Sequence, residues 1–115
     1  MFMIKGVGVD VIEVERLRRS LERCKGFRER IFSSREIELC LRSRDPFPRF
    51  AARFAAKEAF FKATGLKIPW NRIEVLNDPT GAPHFSLPEP IAGRLHLSLS
   101  HLKESAVAMV VYESL

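Results

Sequence analysis

The sequence predicts a single α+β domain, residues 1–115, in which a mainly antiparallel sheet packs with a long central helix. Three observations favour this fold class. A β-branched segment opens the chain at residues 2–12. A strong helical pattern follows at residues 48–64, with aromatic and alanine side chains spaced three and four apart. Two apolar segments that suit strands, residues 95–100 and 106–112, close the chain.

The first half of the chain begins with a strand and continues with a helix. Phe2 to Ile12 is interrupted by Gly6 and Gly8, and glycine inside a strand lets another backbone or a ligand approach closely. The next segment, residues 13–24, alternates leucines with arginines at helical spacing, which predicts an amphipathic helix.

Two further helices are indicated by their terminal residues. Ser33 and Glu36 have the spacing of a capping box, which predicts a second helix that runs to about Leu41. The strongest helix signal extends from Pro48, a residue suited to a first turn, to Thr64, and the glycine that follows suits a helix stop.

The second half of the chain predicts strands joined by short turns. Residues 72–77 and 82–87 flank an Asp-Pro-Thr-Gly turn and are expected to pair as a hairpin. Residues 95–100 alternate leucine with polar side chains, and five residues separate them from the apolar strand 106–112, so a second hairpin is expected.

The charge of the chain is positive and uneven. The composition is 46% hydrophobic and 29% charged, with a net charge of +5 and a pI of about 9.7. Residues 16–57 alone carry 13 Lys and Arg against five Asp and Glu. An acidic partner is therefore expected, and the charge alone is compatible with nucleic acid, a phosphate ligand, an acidic protein or an anionic membrane.

The sequence favours a cytoplasmic protein. No apolar stretch approaches the roughly 18 residues that would predict a membrane span, and the N-terminus lacks the pattern of a signal peptide. We therefore expect no membrane partner.

Two carboxylates are candidate metal ligands. Glu58 lies at the edge of the aromatic helical stripe, where a carboxylate loses solvation and needs a cation, although a surface pair with Lys62 would also explain it. Asp10 ends an apolar strand just before a helix, where a turn or capping role is the alternative. Two carboxylates from different elements suit Mg²⁺, which usually keeps waters and substrate phosphate oxygens as its other ligands.

Several cations and one histidine are candidates for binding phosphate. Arg53, Lys57 and Lys62 lie on the same helix as Glu58, and together they suit a polyphosphate, although a solvated basic face is the alternative. His101 follows a polar row at the end of a predicted strand, a pattern that any half-exposed strand shows. No nucleophile elbow accompanies it.

Three segments together resemble the holo-[acyl carrier protein] synthase family of 4′-phosphopantetheinyl transferases. They are residues 6–13 (GVGVDVIE), 53–63 (RFAAKEAFFKA) and 96–101 (HLSLSH). Their order, their spacing and the chain length agree with the family over nearly the whole sequence. The middle segment is the most specific of the three.

The resemblance implies an activity. Members transfer the 4′-phosphopantetheine group of coenzyme A, the co-substrate, to a serine of apo-acyl carrier protein in fatty acid biosynthesis. The reaction releases adenosine 3′,5′-bisphosphate and requires Mg²⁺. Small family members are homotrimers with active sites between subunits, which would give a small domain a cleft that its own core cannot build.

The resemblance also implies roles for individual residues. Asp10 and Glu58 match the metal-binding carboxylates, and Arg16 matches a basic position that meets the acidic carrier protein. The implied catalytic residues are Glu58, Lys62 and His101, and the implied coenzyme-binding residues are Arg53, Lys57, Lys62 and His101. Whether Glu58 or a metal-bound water accepts the serine proton stays open, as does the choice between phosphate positioning and proton transfer for His101.

Two departures from the family pattern and two alternative functions accompany this interpretation. The segment between Gly65 and Ile73 is shorter than the family's usual loop, and Phe61 stands where a small residue is common. A nucleic-acid-binding module would use the basic segment 16–57, but neither a helix-turn-helix nor a zinc pattern is present, so we expect no nucleic-acid partner. A scaffold that binds carrier proteins without chemistry would not need the intact set of candidate site residues.

Overall fold

The computed structural model describes residues 2–114 and has the α+β architecture that the sequence predicts. The elements in chain order are β1 (Met3–Glu13), α1 (Val14–Arg23), α2 (Phe27–Ile31), α3 (Ser34–Leu41), α4 (Phe47–Thr64), a 3₁₀ turn (Trp70–Arg72), β2 (Glu74–Asn77), β3 (Pro83–Ser86), β4 (Arg94–His101) and β5 (Ser105–Ser114). No helix within residues 2–114 is long and apolar enough to cross a membrane.

The strands form two antiparallel sheets. A three-stranded sheet has the order β1-β5-β4, and β2 and β3 form a separate hairpin. The chain termini therefore meet in one sheet, with Asp10 opposite Ala108 and Leu99 opposite the same alanine on the other side. Both predicted hairpins are confirmed.

Helix α4 packs on one face of the three-stranded sheet at backbone distance. A Cβ atom placed on Gly6 would lie 1.8 Å from the carbonyl oxygen of Ala63, and one on Gly8 would lie 2.0 Å from that of Ala59. The close approach expected from these glycines is thus made by a helix, and the strand and the helix contact each other with no side chain between them.

The opposite face of the same sheet is apolar and exposed. Its side chains include Val7, Val9 and Val11 of β1, which are 52%, 58% and 70% exposed, and Val107 and Met109 of β5, which are 37% and 47% exposed. The strand register places Val9 opposite Met109 and Val11 opposite Val107, so these residues form one continuous surface. We refer to it below as the outer sheet face.

The ends of α3 and α4 form as predicted, and two local features differ. The capping box of Ser33 and Glu36 is present, and Gly65 ends α4 in the left-handed conformation at φ 68°. Helix α2 was not predicted; it is five residues long and starts after Gly26, another glycine with positive φ. The segment expected to begin a strand at Arg72 instead completes a 3₁₀ turn, and β2 starts at Glu74.

Candidate active site

A cleft of about 260 Å³ lies where β1, α1, α2 and α4 meet. Its lining combines two carboxylates and one arginine with apolar and aromatic side chains. The lining residues are Asp10, Val11, Ile12, Arg16, Leu17, Ser20, Phe27, Phe54 and Glu58. Three of the residues that the sequence singled out therefore share one cavity.

The two carboxylates enter the cleft from the strand and the helix that touch through their backbones. Asp10 follows Gly8 by two residues, so its side chain points to the same side of β1, toward α4. Glu58 precedes Ala59, the residue whose carbonyl faces Gly8. Partial burial raises the pKa of Glu58, and the negative charge of Asp10 raises it further, while Lys62 acts in the opposite direction.

Lys62 lies one helical turn beyond Glu58 and reaches across to β1. Its ammonium group donates a hydrogen bond to the carbonyl oxygen of Val9 at 3.0 Å and lies 3.4 Å from a carboxylate oxygen of Asp10. The side chain of Lys62 is 53% exposed and that of Asp10 is 18% exposed. The lysine is therefore accessible to an anionic ligand that enters at this edge of the cleft.

The chemistry of the carboxylate pair fits Mg²⁺. The two groups are close enough for the charge of Asp10 to disfavour ionisation of Glu58, and a cation between them would relieve that repulsion. Within residues 2–114 no group of three or more His, Cys, Asp or Glu side chains is gathered as a metal cage. A pair of oxygen ligands without such a cage suits Mg²⁺, which uses one or two carboxylates and retains water.

Arg16 shares the cleft, whereas His101 does not. Arg16 is exposed on α1 and borders the cavity that holds Asp10 and Glu58. His101 ends β4, and β5 separates that strand from β1. In the part of the chain that the structure describes, its exposed side chain takes part in no hydrogen bond or ion pair.

The structure places Arg53 and Lys57 in the interior, away from the solvent that a coenzyme would occupy. Arg53 is 5% exposed and donates to the carbonyl of Val75 at 3.1 Å and to the side-chain oxygen of Asn77 at 3.2 Å. Lys57 is 0% exposed, and its ammonium group is 2.6 Å from a carboxylate oxygen of Glu36. Their burial does not support the expectation that these two residues contact coenzyme A. The sequence could not show this, because helical spacing does not reveal which side of a helix meets polar partners from distant parts of the chain.

A row of aromatic side chains flanks the cleft, and the sequence indicated it only in part. Phe27 stacks on Phe54 with ring centroids 6.4 Å apart, Phe54 stacks on Trp70 at 5.1 Å, and Trp70 meets Phe61 at 5.1 Å. The helical stripe predicted Phe54 and Phe61. Phe27 and Trp70 lie on a short helix and a 3₁₀ turn that carry no periodic signal.

Comparison with known proteins identifies the family of this chain. The family model of the 4′-phosphopantetheinyl transferase superfamily matches residues 6–111. The chain belongs to this superfamily. The holo-[acyl-carrier-protein] synthase of Chloroherpeton thalassium is 45% identical over 93% of this chain and 96% of its own length. That of Cytophaga hutchinsonii is 37% identical over 96% of this chain and 98% of its own length.

Solved structures of the same family share the fold. The holo-(acyl-carrier-protein) synthase of Bacillus anthracis, in complex with CoA (3′,5′-ADP), superposes with a TM-score of 0.87 at 39% identity and covers 98% of this chain and 99% of its own. The Helicobacter pylori holo-[acyl-carrier-protein] synthase, in complex with coenzyme A, has a TM-score of 0.79 at 30% identity and covers 92% of this chain and 98% of its own. The predicted family and fold class are confirmed, while the individual residue roles stay predictions.

Proposed function

We propose that this chain is a cytoplasmic holo-[acyl carrier protein] synthase. It transfers the 4′-phosphopantetheine group from coenzyme A to a serine of apo-acyl carrier protein and releases adenosine 3′,5′-bisphosphate, as a step that supplies fatty acid biosynthesis. The observation that carries this proposal is that Asp10 and Glu58 line one cleft, with Lys62 3.4 Å from Asp10, in a chain that matches the transferase superfamily over residues 6–111.

Asp10 and Glu58 are the residues that would hold Mg²⁺. Their carboxylates come from β1 and α4, and the backbone contact between these elements fixes how far apart they lie. Bound there, Mg²⁺ supplies charge stabilisation for the diphosphate of coenzyme A as its phosphorus–oxygen bond breaks.

Glu58 in the cleft and Lys62 beside Asp10 have properties that suit the proton transfer and the negative charge of this reaction. The serine hydroxyl must lose its proton as its oxygen bonds to phosphorus, and the raised pKa of Glu58 suits a carboxylate that accepts a proton, directly or through water. Lys62 carries a second positive charge at the same edge and is accessible enough to meet a phosphate oxygen.

The surface next to the cleft suits an acidic carrier protein. Arg16 is exposed on α1 at the rim of the cavity. Arg18 on the same helix is held by ion pairs with Glu15 and Glu22, at 2.9 and 3.3 Å. We therefore assign carrier recognition to Arg16, because its charge lies beside the site of transfer rather than in an intrahelical network.

The assembly that we propose is a homotrimer with active sites between subunits. The outer sheet face exposes a continuous set of Val and Met side chains, and a contiguous exposed apolar surface of this kind is typical of an interface. His101 lies on β4, away from the cleft of its own chain, so the proposed role at the coenzyme is one that it performs in the cleft of a neighbouring subunit.

The proposed reaction is tested by mass spectrometry of an apo-acyl carrier protein incubated with the purified protein, coenzyme A and Mg²⁺. The expected result is a mass gain of one phosphopantetheine, about 340 Da from its formula, which EDTA abolishes. Glu58→Gln is expected to lose most of the activity, whereas Glu38→Gln, at an exposed glutamate on α3 that pairs with Arg42, keeps it. If no carrier from a panel that includes the cognate one gains this mass, the proposed function is wrong.

A further inference from the structure

Lys57 is a completely buried lysine whose three ammonium hydrogens are all engaged. Its Nζ atom donates to the carbonyl oxygen of Ile31 at 2.6 Å, to a carboxylate oxygen of Glu36 at 2.6 Å and to the carbonyl oxygen of Trp70 at 2.9 Å. These acceptors belong to the end of α2, to α3 and to the 3₁₀ turn. One side chain of α4 therefore joins three segments that are distant in sequence.

Glu36 extends the same network. Its carboxylate accepts hydrogen bonds from the backbone N–H of Ser33 at 3.0 Å and of Val75 at 2.9 Å, in addition to the bond from Lys57. Both side chains are 0% exposed. Within residues 2–114 no buried side-chain nitrogen or oxygen lacks a partner, so this pair is fully satisfied.

The segments that Lys57 holds carry two rings of the aromatic row, those on either side of Phe54. Phe27 lies on α2, whose last residue supplies one carbonyl, and Trp70 itself supplies another. Both rings stack on Phe54, which lies one helical turn before Glu58 and lines the cleft with it. The contacts of Lys57 thus fix the positions of these rings relative to Glu58, the candidate metal ligand that follows Lys57 in the sequence.

A gain in stability alone does not account for this network. Burial of an ammonium and a carboxylate carries a desolvation cost that their attraction often only offsets, and apolar side chains of similar volume can replace such a pair with little loss. An apolar pair cannot replace the hydrogen bonds from Lys57 to the carbonyl oxygens of Ile31 and Trp70, because an apolar side chain has no donor to hold these two carbonyls in place.

We propose that Lys57 and Glu36 are positioning residues of the transferase. They hold Phe27 and Trp70 against Phe54 and so set the aromatic wall of the cleft, formed by Phe27 and Phe54, beside Glu58. This inference rests on the proposed function. It assigns Lys57 a role different from direct contact with coenzyme A. The pair touches neither Asp10 nor Lys62, so its loss alters the wall of the cleft and leaves the charged groups in place.

The experiment compares three variants with the wild-type protein. Lys57→Met leaves the Glu36 carboxylate buried without its cation and is expected to have the lowest Tm. The double variant Glu36→Gln/Lys57→Met has no buried charge and keeps an acceptor oxygen for one of the two backbone N–H groups, so its Tm is expected to recover part of the loss. The matched control Glu38→Gln/Arg42→Met removes both charges in the same way from an ion pair whose side chains are 70% and 67% exposed.

Two measurements on the double variant separate positioning from stability. The chain has a single tryptophan, Trp70, so acrylamide quenching of its fluorescence reports, without any substrate, how this ring packs on Phe54 behind the wall of the cleft. Quenching is expected to increase in the double variant and to stay at the wild-type value in the control. At a temperature where all variants are folded, the KM for coenzyme A is expected to rise about tenfold while kcat changes by less than about threefold.

The possible results divide clearly. Wild-type quenching together with a wild-type KM in the folded double variant would overturn the positioning role. A fall in kcat with KM and quenching unchanged would overturn it too. If the wild-type protein transfers no phosphopantetheine, the proposed function is wrong. Trp70 quenching can still be compared in that case, and a wild-type value in the double variant would refute the positioning by Lys57 and Glu36.

Discussion

The backbone contact between β1 and α4 makes Gly8→Ala the most informative single substitution. The added methyl carbon would lie 2.0 Å from the carbonyl oxygen of Ala59, whereas real Cβ contacts essentially never fall below 3.0 Å. The obstacle is main-chain atoms, so no side-chain rotation relieves it. The strand and the helix must separate by about 1 Å at least, and overpacking of this kind costs about 1–3 kcal/mol of folding free energy.

The same displacement separates Asp10 from Glu58, because these residues lie beside the contact. A misplacement of about 1 Å at reacting groups lowers activity by about 10²-fold, so we expect a loss of that order and a weaker apparent affinity for Mg²⁺. The expected fall in Tm is about 4–12 °C for a domain of this size. Gly81→Ala is the matched control, since a Cβ there has open space and only the positive φ of 92° opposes it.

Differential scanning calorimetry and the mass-spectrometric transfer assay, each carried out over a range of Mg²⁺ concentrations, measure these effects. Gly81→Ala is expected to lose about 1 kcal/mol of stability and none of the Mg²⁺ affinity. Wild-type Tm and wild-type Mg²⁺ dependence in Gly8→Ala would refute the argument that this contact sets the distance between the carboxylates.

Two further predictions concern Glu58 and the assembly. Because burial and Asp10 raise the pKa of Glu58 above its ordinary 4.5, the metal-free protein loses stability as the pH rises through 4.5 toward that raised value. In EDTA, Glu58→Gln is therefore expected to gain Tm relative to the wild type between pH 4.5 and neutral pH, and a Tm difference that does not vary with pH contradicts this. The second prediction is tested by mixing the variants Glu58→Gln and His101→Ala, each of which is expected to be impaired alone. If active sites lie between subunits, subunit exchange restores about a quarter of the wild-type sites. If each active site lies within one chain, mixing restores no activity.

The sequence predicted the elements whose signals are local. Pro48 and Gly65 mark the ends of the long helix, and the alternation of Leu95, Leu97 and Leu99 indicates the partly buried side of β4. Each of these signals depends on residues a few positions apart, which is the range over which helix caps and strand alternation act. The position of Glu58 at the edge of the aromatic stripe, where it loses solvation, follows from the same local reasoning, whereas the contribution of Asp10 to its raised pKa does not.

Features that depend on distant contacts were not predictable from one sequence. Lys57 looks like any cation on a basic helix, and only the fold brings Glu36, 21 residues away, into contact with it. The helix α2 has too few residues to show a hydrophobic period, so Phe27 could not be placed beside the cleft. The exposure of the outer sheet face depends on which side of β1 the helix α4 covers. Gly6 and Gly8 mark the covered side, but only once the structure shows that α4 packs against them.

The position of β1 at the edge of the three-stranded sheet has a consequence for how the protein is produced. This strand is 11 residues long and, among residues 2–114, pairs on one side only, with β5. A long edge strand with apolar side chains is a template for pairing with other chains. The irregularity in register between Ile4 and Gly6 and the hydrogen bond from Lys62 to the carbonyl of Val9 interrupt this edge. Newly folded chains at high concentration therefore face a competition between ordered association and aggregation, and slow expression at low temperature favours the ordered outcome.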